Sequence, residues 1–284
     1  MSNIACKLLA VDIDGTLVNG GRLHADDARA LHRAAEAGLA ICLCTGRSWA
    51  EARPVWQQLS LPGPQAPVIC VGGALVAQPA DGSTLYARSF DRPTAAALAG
   101  AMRQKGYPVM ALVDAWREGF DYCMVGQFDA HPLYRRFFDG RGWQVRYVDD
   151  LADPSLPCPL RISVLEEASA CDELVRQWQG QFAGRIEIQA IRAPNYGLHI
   201  VESFAAGVNK FTALEFVGRT LGIAPSDMAA IGDDYNDLAM LAETGVSATT
   251  ADAPQELRDA ATMTLGPRGQ CPVAQFVRRL LASH

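Results

Sequence analysis

The sequence predicts an α/β protein: a doubly wound parallel sheet interrupted by an inserted α+β domain. Three observations lead there. Short apolar runs alternate with helix-period segments near both ends of the chain. Several of these runs stop abruptly at acidic or Thr-Gly residues, as strands buried on both faces do at a sheet edge. Between the two ends lies a long stretch in which strands and helices lose that order.

The elements follow in turn. Residues 8–11 form an apolar run that ends at DIDGT. Residues 26–37 carry Ala28, Leu31, Ala34 and Ala35 at helical spacing, with Gly38 as a C-terminal cap. Residues 39–44 are again a buried strand, closed by Thr45-Gly46-Arg47, and Ser48 offers its hydroxyl to cap the next helix. Residues 67–71 give a third strand before Gly72-Gly73. The alternation resumes with a helix over 209–221, a strand over 228–231, a helix from Asn236 and a strand over 246–249. Another helix starts near Pro254, with Asp252 available to cap it, and 274–281 is a last amphipathic stretch.

The middle reads differently. Candidate strands are 109–113, 122–125, 145–148, 160–165 and 186–191; candidate helices are 94–104, 132–138 and 170–182. Residues 91–93 and 193–195 read as linkers where the chain leaves and re-enters the first domain. The core domain is therefore expected at 1–85 and 193–284, and the inserted α+β domain at 86–192. No internal repeat interrupts this plan.

Bulk properties bound the function. The 284 residues hold 25 Lys+Arg against 31 Asp+Glu, a formal −6. An acidic chain has no general attraction for nucleic acid or an anionic membrane, so neither is expected as a partner. No signal peptide and no apolar run of membrane-spanning length is visible. Eight cysteines lack CxxC spacing and several lie in strand-like runs, so reduced core thiols in a cytoplasmic protein are expected. Cys42 and Cys44 would share one strand face.

Four signals carry chemistry. Asp12 and Asp14 of DIDGT sit at a strand end, where parallel sheets bind ligands. Two carboxylates so close repel, and a divalent cation such as Mg²⁺ would compensate them. An Asp-Gly turn explains the same residues without function. Thr45, Gly46 and Arg47 stand just before a helix, where a hydroxyl and backbone amides suit a phosphate oxygen or merely form a turn. Lys210 opens a helix against its dipole, which calls for a carboxylate or phosphate partner unless the side chain is simply at the surface. Asp233, at a second strand end, repeats the position of Asp12; Asn236 and Asp237 follow it, and Asp237 could be only a cap.

DIDGT, TGR, Lys210 and GDDYND resemble, in order and spacing, the four motifs of the haloacid-dehalogenase-like superfamily. The chain looks like its Cof-type phosphatases, which carry a large cap domain between the second and third motifs. Thr16 and Thr45 are too close to admit a cap, whereas Gly46 to Lys210 leaves ample room. The resemblance implies a Rossmann-like core and a Mg²⁺-dependent hydrolase that works through a phosphoaspartate. It implies Asp12 as nucleophile and metal ligand, and Asp14 as general acid/base with its backbone carbonyl on the metal. Asp233 would complete the ligands with Asp237 behind them. Thr45, Gly46, Lys210 and Asn236 would hold the phosphate. The expected substrate is a small phosphorylated metabolite of sugar-phosphate type; a phosphomutase, or an idle binding protein, are the alternatives. The leaving group is expected to meet the cap, where Trp116, Arg117, Asp121 and Tyr122 form a polar-aromatic stretch, with Arg47 and Tyr235 contributing from the core. Two residues depart from the family pattern: Phe211 stands where a small residue is usual, and Asp252 where Asn is usual, with helix capping as its expected role.

Overall fold

The computed structural model describes residues 6–128, 131–140, 142–193 and 198–282. The chain forms two compact units: one from the segment up to Tyr86 together with Asn209 onward, the other from Ala87–Val208.

The first unit is built on an eight-stranded sheet. Its order is Met263–Thr264, Val246–Thr249, Met228–Gly232, Leu8–Asp12, Ala40–Cys44, Val68–Cys70, Leu75–Ala77 and Thr84–Ala87. The first six run parallel, and Leu75–Ala77 turns back antiparallel on Val68–Cys70. Leu8–Asp12 is buried at every residue, which is why it reads as an unbroken apolar run. From it the chain winds outward to Ala40–Cys44, and much later returns on the other side as Met228–Gly232. The strand order therefore reverses at Leu8–Asp12, and the carboxyl ends at such a reversal open into a crevice.

Helices cover the sheet. Lys210–Leu221, Leu238–Glu243 and Gln255–Ala260 pack in sequence, and their Leu214, Val217, Met240, Leu241 and Leu257 join Leu8, Ala10, Cys42, Cys44 and Met228 in one core. Cys42 and Cys44 share that face, with their sulfurs 3.9 Å apart. All eight cysteines are free thiols. Ala25–Glu36 packs against Pro272–Ala282, and buried Asp27 accepts the Ala274 N–H at 2.8 Å. Ser48 caps Trp49–Leu59 through a reciprocal box with Glu51. The short strands Leu75–Ala77, Thr84–Ala87 and Met263–Thr264 and the hairpin Val18–Asn19/Arg22–Leu23 were not legible in the sequence.

The second unit is a six-stranded mixed sheet in the order Val145–Val148, Tyr122–Val125, Val109–Leu112, Arg161–Glu166, Leu198–Ala205 and Ile186–Ala193. Arg92–Gln104 and Ala168–Gln181 supply Leu98, Met102, Leu174 and Trp178 to its core. Two expected boundaries differ from this arrangement. Leu198–Ala205 is sandwiched between Arg161–Glu166 and Ile186–Ala193, so this unit continues past residue 192 to Val208. Residues 194 and 195 of the expected linker lie outside the described residues. Residues 91–93 are a helix start: Asp91 accepts the Thr94 N–H at 2.8 Å.

The polar-aromatic stretch of this unit divides. Trp116 is exposed on the short helix Ala115–Glu118. Arg117 pairs with Asp114, and Asp121 accepts the Gln144 N–H. Tyr122, expected as a substrate contact, is fully buried edge-on to Phe137, Phe138 and Trp143, so packing claims its ring.

Asp27 yields a pH prediction. Burial, against the Ala274 amide, moves its carboxyl from 3.8 to about 6. Folding thus favours the protonated form, so its contribution is complete at low pH and is lost as pH rises through about 6. Asp27→Asn should gain on the parent by about 2 kcal/mol between about pH 4 and about pH 7. Paired urea titrations at the two pH values check this; an unchanged difference between the two proteins contradicts it.

Candidate active site

Three neighbouring parallel strands deliver the site. Asp12 is the last residue of Leu8–Asp12, Asp233 follows Met228–Gly232, and Thr45 follows Ala40–Cys44. Lys210 opens the helix Lys210–Leu221, whose cap is Asn209, accepting the Thr212 N–H at 2.9 Å. The Lys210 side chain is fully buried, so it is no surface lysine. Its Nζ donates to Asp12 Oδ1 and to Asp237 Oδ1, each at 2.6 Å. The other oxygen of Asp237 accepts the backbone N–H groups of Asp233 and Asp234 at 3.0 and 3.2 Å. Thr16 Oγ1 donates to Asp233 Oδ1 at 2.8 Å, and Arg268 Nε lies 2.7 Å from Asp233 Oδ2. Asp12 Oδ2 is buried and has no hydrogen-bond partner among the described residues.

Backbone geometry makes this packing possible at two glycines. Gly15 has φ +90°, and a Cβ there would lie 2.2 Å from Asp233 Oδ2. Gly73 has φ +103°, and a Cβ there would lie 2.1 Å from the Asn209 carbonyl oxygen. Two residues earlier, Val71 has φ +52°, a left-handed conformation that a β-branched residue adopts only under constraint. Val71 N–H donates to Arg47 O at 2.8 Å and Gly72 N–H to Thr45 O at 3.0 Å. This turn braces the 45–47 loop on one side and the start of the Lys210 helix on the other.

The electrostatics are those of crowded carboxylates. Burial raises the Asp12 carboxyl well above the ordinary range; Lys210 opposes that, while Asp237 and Asp233 add to it. Burial and Asp237 bring Asp233 to about 6 against the pull of Arg268 and Thr16. Burial alone would lower the Lys210 ammonium, but Asp12 and Asp237 outweigh it and hold it above its usual value. Three acidic side chains thus share two cations, Lys210 and Arg268.

The other sequence candidates take distinct places. Asp14 is held by a forked pair with Arg47, Nε to Oδ2 at 2.7 Å and Nη2 to Oδ1 at 2.6 Å. Its side chain stands apart from the cluster of Asp12, Asp233 and Asp237, whose ligand oxygens lie within 4.8 Å of one another. Arg47, expected as a substrate contact, is engaged by this acid and by the Glu51 carbonyl. Thr45 is buried, and its Oγ1 accepts the Arg47 N–H at 3.1 Å, with Gly46 between them. Asn236 is half-buried in the turn Tyr235–Asp237, and Tyr235 is exposed. Phe211, the second residue of the helix Lys210–Leu221, is partly buried against the core. Asp252 does not cap a helix: its Oδ1 accepts the Arg268 N–H at 3.0 Å, and Gln255–Ala260 starts from Pro254 without a side-chain cap. Sequence reasoning missed Thr16 and Arg268. Thr16 lies within DIDGT itself, but nothing in the loop around Arg268 marks it.

A sequence model of the haloacid dehalogenase-like hydrolase family matches residues 9–277. The chain belongs to the haloacid dehalogenase-like hydrolases. It is an enzyme, a phosphatase of that family. Among curated relatives it is 24% identical to a 5-amino-6-(5-phospho-D-ribitylamino)uracil phosphatase of Bacillus subtilis, over 97% of this chain and 98% of the other. It is 26% identical to a phosphoglycolate phosphatase of Archaeoglobus fulgidus, over 93% and 92% of the two chains. It is likewise 26% identical to an HMP-PP phosphatase of Cronobacter sakazakii, over 88% and 86%. A haloacid dehalogenase-like hydrolase structure from Bacteroides thetaiotaomicron superposes with a TM-score of 0.74 at 20% identity, over 97% and 99% of the chains. A sugar phosphatase of subclass IIB superposes at 0.77 with 18% identity, over 98% and 100%. These structures share the fold.

Lys210 sets a stability prediction for this family member. Lys210→Met leaves Asp12 and Asp237 buried without their cation, which should cost about 3–5 kcal/mol at neutral pH. The loss should shrink on acidification, because protonation relieves the buried Asp12 carboxylate. Urea unfolding in chelator at two pH values measures both effects; a loss that grows toward acid would refute the assignment.

Proposed function

We propose that the chain is a magnesium-dependent phosphomonoester hydrolase that acts on a small phosphorylated metabolite, of sugar-phosphate type, through a phosphoaspartate on Asp12. One observation carries this reading: of the two Asp12 oxygens, Lys210 holds Oδ1, while Oδ2 is buried with no hydrogen-bond partner among the described residues. A buried carboxylate oxygen without a donor calls for a cation. The donor set of Asp12, Asp233 and Asp237 is entirely anionic oxygen, which suits hard Mg²⁺. Asp12, Asp233 and the Asp14 backbone carbonyl would hold the ion. Asp237, already bonded to Lys210 and two backbone amides, would stay behind them. When bound, the ion neutralises charge on the carboxylates and on the phosphoryl oxygens.

The residues then divide the chemistry. An Asp12 oxygen attacks phosphorus in line, and the bond from phosphorus to the leaving oxygen breaks, giving an acyl phosphate on Asp12. Once parted from Arg47, Asp14 takes up a proton from solvent and donates it to the leaving oxygen. It then takes one from the water that attacks phosphorus, which releases inorganic phosphate and restores Asp12. Lys210, the Thr45 hydroxyl, the Gly46 amide and Asn236 hold the transferring oxygens. Arg47 forks onto Asp14 at rest, and the same fork fits a phosphate, so an arriving substrate competes for it and frees Asp14. The curated relatives, named for phosphatase activity on small phosphorylated molecules, support the substrate class. The free thiols support a cytoplasmic setting, and among the described residues no helix is long and apolar enough to cross a membrane.

Release of phosphate from a panel of sugar phosphates should require Mg²⁺ and stop in chelator. Asp12→Asn should abolish both turnover and labelling of the protein by substrate phosphate. Asp14→Asn should lower turnover by about 10²–10⁴-fold, the usual scale for a proton-transfer group, while labelled protein accumulates. Label trapped on another residue, such as Cys44, or isomer conversion without phosphate release, would overturn the proposal.

A further inference from the structure

A second constellation of metal-ligating side chains lies outside the aspartate cluster. His24 caps the helix Ala25–Glu36, Asp26 stands in its first turn, and Cys271 immediately precedes the helix Pro272–Ala282. His24 Nδ1 is 3.0 Å from Cys271 Sγ and 3.9 Å from Asp26 Oδ2, and Cys271 Sγ is 4.0 Å from that same carboxylate oxygen. Nitrogen, sulfur and oxygen therefore converge from two segments far apart in sequence. We propose that His24, Asp26 and Cys271 form a cation site for a borderline-soft divalent ion such as Zn²⁺, separate from the oxygen-only site of the catalytic aspartates.

Size, tautomer and support all fit such an ion. A point equidistant from the three ligand atoms lies about 2.1 Å from each, within the range of zinc–nitrogen and zinc–oxygen bonds and slightly short of a zinc–sulfur bond. His24 Nδ1 accepts the Asp26 N–H at 3.2 Å, so it is the unprotonated ring nitrogen, and an ion would take over the lone pair that now caps this amide. Arg29 pairs with the other Asp26 oxygen and orients the carboxylate. Asp27, buried one residue on, holds the Ala274 N–H and fixes Cys271 relative to His24. His24 and Asp26 are half open to solvent, which leaves an entry path and room for water as a further ligand.

The donor chemistry separates the two sites. Thiolate and imidazole favour zinc-like ions over Mg²⁺, whereas three carboxylates favour the reverse. Without an ion, burial and the carboxylates of Asp27 and Asp26 hold the Cys271 thiol above its usual value, so it keeps its proton. Binding of the ion releases that proton to solvent and leaves a thiolate on the metal. The site ties the segment before Pro272–Ala282 to the start of Ala25–Glu36. That same segment carries Arg268, the partner of Asp233.

Cobalt substitution in the whole protein tests the site. With excess Mg²⁺ present to fill the carboxylate site, one equivalent of Co²⁺ should produce a thiolate-to-cobalt charge-transfer band in the near ultraviolet. Zn²⁺ should then displace it. Cys271→Ser should abolish the band, and His24→Ala should weaken cobalt binding at least tenfold. In unmutated protein, Zn²⁺ should also slow modification of Cys271 by a thiol reagent, mapped by mass spectrometry, and leave the half-buried Cys158 unaffected. No charge-transfer band, a band that survives Cys271→Ser, or Cys271 reactivity that Zn²⁺ does not change would each overturn the proposal.

Discussion

The buried ammonium of Lys210 organises the structure around it. It sits between Asp12 and Asp237, with no exposure to water, 2.6 Å from an oxygen of each. Lys210 opposes the upward push of burial on the Asp12 carboxyl, and the two carboxylates in turn hold the buried ammonium above its usual value. That mutual dependence constrains the backbone over a wide range. The end of Leu8–Asp12, the start of Lys210–Leu221 and the turn after Met228–Gly232 must all converge on one nitrogen. The left-handed Val71 and the side-chain-free Gly73 follow from the same demand, because the turn they form has to lie against Asn209.

Around that ammonium, arginines complete the balance of charge. Arg47 clasps Asp14 through a two-pronged fork, and Arg268 lies against Asp233, with Nε 2.7 Å from its carboxylate and Nη2 donating to its backbone carbonyl at 2.9 Å. Asp252 in turn anchors the backbone of Arg268, which gives the acidic departure from the family pattern a local role. The resting site thus consists of acids each held by a partner, except at Asp12 Oδ2. A cluster of this kind is poised: a divalent cation or a phosphoryl group that enters it replaces existing pairings instead of creating charge in an empty pocket.

Much of this was legible in the sequence where the informative residues are neighbours. Leu8 to Asp12 read as a buried strand running into acid because its burial is uniform and its polar residue terminal. Lys210 announced a partner because a cation at a helix start runs against the dipole, and the partners proved to be carboxylates. What stayed hidden depends on contacts distant in sequence. Arg268 reaches Asp233 across 35 positions from a loop without periodicity. Leu198–Ala205 is a central strand, yet it carries Glu202 and Ser203 fully buried, so it shows no apolar run. Arg161 and Gln189 on neighbouring strands satisfy Glu202, and only the folded sheet shows that they do. Tyr122 was expected on a substrate-facing stretch because its sequence neighbours are polar; the rings that bury it, Phe137, Phe138 and Trp143, come from later in the chain.

The strand order has a consequence for how the protein emerges from the ribosome. Leu8–Asp12 has Ala40–Cys44 as one neighbour almost at once, but its other neighbour, Met228–Gly232, is made nearly two hundred residues later. At usual elongation rates that interval is on the order of 10–40 s. Throughout it, a strand apolar on both faces presents an unpaired edge of amides and carbonyls, the kind of template on which nascent chains associate with one another. The central position of Leu8–Asp12 in the sheet therefore also leaves it open along one side for most of synthesis, until residue 232 has been added.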